Sequence, residues 1–310
     1  MERELCIYLP PGYSSEAEPF PVLWDLAAFT NAGPGHTNWR LRGENLPERL
    51  DRLIGTGALR PLVVAMPDCF TSLGGNQYIN SPGTGRYADY LVGELLPFLN
   101  ESLNVIDSPR GRGLFGTSSG GYGALVLSML HPGVWGAVAA HAPDVGFEWV
   151  YRPGLAVACR VLENHNNDVA AFLSHFWQGK RISGDDYTTL MTLAMASSYD
   201  PNPGNVRKIR LPVRAGTCEL LSERWAQWLK WDPLQLIESH HEALSGLELL
   251  YLDVGRHDEY HIQFGCRQLT RRLDELGVNH HFSEFEGTHR GLDMRLDVSL
   301  PLLADALSAA

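Results

Sequence analysis

A serine with glycine two residues to either side, Gly116-Thr117-Ser118-Ser119-Gly120, has the residue types needed to hold a hydroxyl out on a sharp strand-to-helix turn. Such a turn brings strand and helix so close that the flanking positions must be nearly free of side chain. Leu114 and Phe115 close an apolar run before it, and Ala124 to Leu130 read as a helix that Pro132 stops. Ser118 is therefore the candidate nucleophile for acyl transfer. The backbone N–H of Ser119, at the helix N-terminus, is a candidate donor to the oxyanion that such chemistry generates.

A serine hydroxyl needs a base to take its proton, and the base needs a carboxylate to fix its tautomer. In enzymes with a serine on such an elbow the partners follow in the order acid, then histidine. Among twelve histidines, His289 lies just past an apolar strand, in Glu284-Phe285-Glu286-Gly287-Thr288-His289. His280 and His281 sit at the start of that strand, the wrong end. The preceding strand runs into Asp253-Val254-Gly255-Arg256-His257-Asp258-Glu259. Asp258 lies beyond Gly255, where a loop at the carboxyl edge of a parallel sheet would carry it, and is the first choice of acid. Asp253 and Glu259 remain alternatives, and His257 reads as loop surface.

These residues need a scaffold. Leu5 to Leu9, Pro21 to Leu26, Leu62 to Met66, Gly136 to Ala140, Leu247 to Asp253 and His281 to Phe285 read as strands. Glu44 to Ile54, Tyr87 to Leu99 and Glu259 to Leu276 carry apolar residues at helical spacing between them. The alternation predicts an α/β fold, a mostly parallel central sheet with helices on both faces, in one domain over residues 1–310. From about Phe147 to Trp231 the rhythm breaks into helical patches, which predicts a lid-like helical insertion over residues 147–231. It holds Trp149, Trp177, Trp225, Trp228 and Trp231, of which the last three recur at helical spacing and read as packing.

Composition narrows the function. A formal charge of −11 with dispersed Lys and Arg disfavours a nucleic-acid partner. Cys6, Cys69, Cys159, Cys218 and Cys266 are scattered without a Cys-x-x-Cys pair, so neither a disulfide framework nor a zinc site is expected. His240 and His241 are neighbours that diverge on a helix, and no cofactor or metal is expected. Met1 to Glu4 lead straight into a strand with no apolar signal core, and no apolar run is long enough to span a bilayer. The expectation is a cytoplasmic protein that takes a small-molecule ester, with homo-oligomerisation left open.

Taken together, Leu9-Pro10-Pro11-Gly12-Tyr13, Pro21-Val22-Leu23-Trp24, Met66-Pro67-Asp68, Tyr78-Ile79-Asn80-Ser81, Gly116 to Leu125, Trp231-Asp232-Pro233 and Gly255-x-x-Asp258 resemble the Putative esterase (esterase D-like) family of α/β-hydrolases. That group includes S-formylglutathione hydrolases, feruloyl and acetyl xylan esterases, and mycolyl transferases. The resemblance spans nearly the whole chain. It implies Ser118 as nucleophile, Asp258 as acid, His289 as base and the N–H of Phe29 as the second oxyanion donor. Two departures stand out. Ala27-Ala28 replace the family's His-Gly before Phe29, removing a residue free to adopt positive φ, and Thr117 stands where S-formylglutathione hydrolases commonly have His. The implied activity is a serine carboxylic-ester hydrolase. Thioester hydrolysis and acyl transfer are alternatives of the same chemistry, and a non-catalytic binding protein of the same fold is the alternative of another class.

Overall fold

The structure is a computed structural model that describes residues 2–204 and 209–307. Its strands in chain order are β1 (Leu5–Tyr8), β2 (Val22–Leu26), β3 (Val63–Pro67), a short hairpin of β4 (Asn80–Ser81) and β5 (Gly85–Arg86), β6 (Arg112–Thr117), β7 (Ala137–His141), β8 (Leu249–Gly255) and β9 (His281–Phe285). Seven of them form one sheet in the order β1-β3-β2-β6-β7-β8-β9. Only β1 is antiparallel to its neighbour.

The near-continuous apolar runs of β2, β3, β6, β7 and β8 follow from burial on both faces. Alternate side chains divide accordingly. Trp24, Leu26, Leu114, Val138 and Leu252 enter one core, while Leu23, Phe115, Ala139 and Tyr251 enter the other. The second core is closed by α1 (Leu46–Gly55) and by the last helix, α12 (Leu296–Ala306). Asn45 and Glu48 cap α1 reciprocally: each backbone N–H donates to the other's side chain at 2.9 Å.

The first core is covered by α2 (Tyr87–Asp89), which passes through a π-helical turn into α3 (Leu96–Ser102), then by α4 (Ser119–Leu130), α10 (Pro233–Ser245) and α11 (Ile262–Glu275). Between β7 and β8 run α5 (Phe147–Val150), α6 (Arg152–Glu163), α7 (Val169–Gln178), α8 (Gly184–Tyr199) and α9 (Ser222–Leu229), ahead of α10. Trp225 and Trp228 are buried there, with Trp228 edge-on to Tyr151 and Tyr199.

The helix after the elbow begins at Ser119, the expected helix N-terminus, and runs through Gly120, Gly121 and Gly123 before the apolar stretch from Ala124 to Leu130. These glycines are not helix breakers here, because close packing needs them. A Cβ on Gly120 would overlap the Leu26 carbonyl of β2, and one on Gly123 would overlap the Tyr78 ring. Packing outweighs the roughly 1 kcal/mol that a glycine costs inside a helix.

Candidate active site

Ser118, between β6 and α4, has φ 56° and ψ −121°, a conformation that a non-glycine residue adopts only when its surroundings impose it. Here they do. Its N–H donates to the His141 carbonyl at 2.8 Å, and its own carbonyl accepts from Tyr122 N–H at 2.8 Å. A Cβ on Gly116 would lie 2.6 Å from the Leu26 carbonyl oxygen. The hydroxyl is thereby aimed over the carboxyl edge of the sheet.

Two loops from that edge meet it. Beyond β8 and β9 the chains are stitched together by Arg256 N–H to the Phe285 carbonyl and His257 N–H to the Gly287 carbonyl, both 2.9 Å. Within this frame His289 Nε2 lies 3.0 Å from Ser118 Oγ, and His289 Nδ1 lies 2.7 Å from Asp258 Oδ2. The Asp258 side chain is fully buried, and its other oxygen accepts from Tyr260 N–H at 2.9 Å. Glu259 accepts from His289 N–H at 2.8 Å, which fixes the loop rather than the imidazole. The Tyr260 ring stands edge-on to His289 with centroids 4.8 Å apart. Burial alone would push the His289 pKa down. The hydrogen bond and charge of Asp258, joined by the charges of Asp144 and Glu259, outweigh it and leave the pKa raised.

Asp253, the alternative acid, faces elsewhere. It is fully buried in β8, with Oδ1 2.7 Å from His141 Nδ1 and Oδ2 accepting from Arg295 Nε at 2.8 Å and Tyr251 OH at 2.9 Å. His141 Nε2 in turn lies 2.9 Å from Ser299 Oγ. This second Ser-His-Asp arrangement has no exposed atom at any of the three residues, so no substrate reaches it.

The loop after β2 carries Ala27, Ala28 and Phe29, none of which has positive φ. The turn thus proceeds without the glycine the resemblance led one to expect, and alanine costs nothing there. Tyr78 OH donates to the Ala27 carbonyl at 2.6 Å, and Phe29 packs its backbone against Gly75, where a Cβ would lie 2.5 Å from Phe29 Cα. Among the described residues neither Phe29 N–H nor Ser119 N–H has an acceptor.

A cavity of about 580 Å³ opens over Ser118 and His289. Val150, Met191 and Leu292 line it with apolar surface, while His36, Arg40 and Asp293 line it with polar groups. His36 is paired with the buried Asp25 of β2.

The sequence reading did not anticipate Asp144. This residue follows β7 at the same carboxyl edge, lines the cavity and is 4% exposed. Its Oδ1 lies 3.3 Å from Ser118 Oγ, and its Oδ2 accepts from Ser119 Oγ at 2.9 Å and Tyr151 OH at 2.7 Å. The signal available was position alone, a carboxylate just past the strand next to the elbow strand.

A family model described as Putative esterase matches residues 1–295. Over 155 residues the chain is 24% identical to the uncharacterized protein YbbA of Bacillus subtilis, a match that covers 47% of this chain and 58% of that relative. Among solved structures, a ferulic acid esterase superposes with a TM-score of 0.63 at 18% identity, covering 98% of this chain and 92% of the other. The fluorophosphonate-binding serine hydrolase FphF of Staphylococcus aureus gives 0.60 at 14% identity, covering 98% and 93%. The S-formylglutathione hydrolase of Staphylococcus aureus gives 0.59 at 12%, covering 97% and 92%. With strand order, elbow and family match in agreement, the chain belongs to the Putative esterase family and has the α/β-hydrolase fold.

Proposed function

We propose that this protein hydrolyses a carboxylic ester of small or medium acyl chain, with Ser118 as nucleophile, His289 as general base and acid, and Asp258 as the group that orients His289. The observation that carries this reading is the continuous hydrogen-bonded chain from Asp258 Oδ2 through His289 to Ser118 Oγ, with links of 2.7 and 3.0 Å. His289 Nε2 takes the Ser118 proton as Oγ attacks the acyl carbonyl carbon, and Asp258 stabilises the imidazolium. The carbonyl oxygen becomes an oxyanion between the N–H groups of Phe29 and Ser119. His289 then returns the proton to the leaving alcohol as its C–O bond breaks. Water repeats the sequence: His289 takes its proton, the hydroxyl attacks the acyl carbon, and the acid departs as Ser118 recovers its hydrogen.

The mixed lining of the cavity suits an apolar acyl chain on the Val150, Met191 and Leu292 side and a polar leaving group near His36 and Arg40. Among the described residues no helix is long and apolar enough to cross a membrane. All five cysteines are unpaired, which supports a working place in the reducing cytoplasm.

The test is covalent labelling. A fluorophosphonate should give one adduct, mapped by mass spectrometry to Ser118, and Ser118→Ala should lose both the adduct and the hydrolysis of p-nitrophenyl esters while remaining folded. A folded protein that takes no adduct would instead be a binding module of the same fold.

A further inference from the structure

Asp144 is held more firmly than a bystander would be. Tyr199 OH donates to Gln77 Oε1 at 3.0 Å, Gln77 Nε2 donates to Ser119 Oγ at 2.7 Å, and Ser119 therefore spends its single proton on Asp144 Oδ2. Tyr151 OH supplies a second donor to the same oxygen. One carboxylate oxygen is thus fully satisfied and fixes the plane of the group. The other, Oδ1, has Ser118 Oγ as its only partner among the described residues.

Ser118 has one proton and two claimants, His289 Nε2 at 3.0 Å and Asp144 Oδ1 at 3.3 Å. The resting enzyme can alternate between them. The acyl-enzyme cannot, because the ester oxygen formed from Ser118 carries no hydrogen. Asp144 Oδ1 then becomes a buried acceptor turned towards oxygen lone pairs, a situation that costs free energy until a donor is supplied. The acyl carbon is bonded to Ser118 Oγ, so a substituent on the next carbon of the acyl chain falls in the shell of space that Oδ1 faces.

Resting on the reading of Ser118 as the nucleophile, we propose that Asp144 is a specificity-determining residue that selects acyl groups carrying a hydrogen-bond donor, a hydroxyl or an ammonium, on the carbon next to the scissile carbonyl. The donor replaces the hydrogen bond that Ser118 gives up on acylation. It is made in the acyl-enzyme and in the transition state leading to it, not in the free enzyme, so it should raise kcat/KM. Burial pushes the Asp144 carboxyl up in pKa, with Tyr151, His289 and the two serines opposing. A cationic or hydroxylic acyl group is the partner that such a carboxylate lacks.

The experiment compares p-nitrophenyl lactate with p-nitrophenyl isobutyrate, which differ by hydroxyl against methyl, each rate divided by that of its uncatalysed hydrolysis. The wild-type protein should favour the lactoyl ester by at least about tenfold in kcat/KM. Asp144→Asn still accepts from Ser119 and Tyr151 but turns an NH2 towards Ser118, so the preference should fall to within about threefold. Asp144→Ser is the smaller replacement should the amide not be accommodated. Equal hydrolysis of the two esters by the wild type, or a preference that persists in either folded variant, would overturn the assignment. A fluorophosphonate adduct at Ser118 in the same preparations separates this failure from a failure of the esterase mechanism itself.

Discussion

Asp253 and Asp258 stand on one strand and its following loop, and each holds a histidine Nδ1 at 2.7 Å, yet only the pair Asp258–His289 reaches solvent and Ser118. Asp253 still belongs to the strand and faces His141, Arg295 and Tyr251. Asp258 lies past Gly255, whose lack of a side chain lets the loop close onto Gly287, where a Cβ would meet the carbonyl at 2.6 Å.

Asparagine at these two positions should therefore separate catalysis from stability. Asp258→Asn should lower kcat by about 10⁴-fold with the fold retained, since the imidazole loses control of its tautomer. Asp253→Asn should cost about 3–5 kcal/mol of stability by leaving the partly buried Arg295 guanidinium without its counter-charge and the buried His141 ring without its carboxylate partner, while kcat of the folded fraction stays within a small factor. Steady-state kinetics beside denaturant melts checks both, and the reverse pattern would move the acid to Asp253.

The raised pKa of His289 has a definite sign in a pH profile. The base must be neutral, so kcat/KM should rise with pH along a limb centred above 6.5, the ordinary value for histidine. Stability runs the opposite way: the ion pair with Asp258 contributes fully below the unfolded pKa and fades as pH rises through the folded one. Asp258→Asn should shift the limb to lower pH, because burial then acts with less opposition. An unshifted limb would mean that another group sets it.

Tyr78 should matter to kcat although it touches no substrate. Tyr78→Phe releases the Ala27 carbonyl that its hydroxyl holds at 2.6 Å, and with it the turn that presents Phe29 N–H. A donor that is loosened but not removed should cost about tenfold in kcat, short of the roughly 100 to 1000-fold of a lost donor, with KM little changed. An effect confined to KM would show that Tyr78 shapes the cavity instead.

Ala28→Gly, which restores the residue usual in the family, should bring no gain in kcat, because φ at this position is not positive. It should lower stability by about 0.5–1 kcal/mol through the unfolded chain's added freedom. A clear rise in kcat would reveal strain in the loop.

How much of this was legible depended on the range of the interactions. The alternating apolar runs and the glycines around Ser118 are local patterns. They carried the parallel sheet, the elbow and the positions of Asp258 and His289 past β8 and β9, because strand edges and turns are set by neighbours in sequence. The start of α4 at Ser119 was legible in the same way, but what keeps its glycines helical was not. Gly120 and Gly123 look like helix breakers until Leu26 and Tyr78 are packed against them.

What the tertiary structure alone decided lies between distant segments. That Ala27 and Ala28 need no positive φ depends on Tyr78 and Gly75 pressing on the loop. That Asp253 turns away from Ser118 depends on His141 and Arg295, and that Asp144 meets Ser118 depends on Gln77, Tyr151 and Tyr199 arriving from three other parts of the chain. A carboxylate's role follows from which donors surround it, and proximity along the chain does not encode those donors.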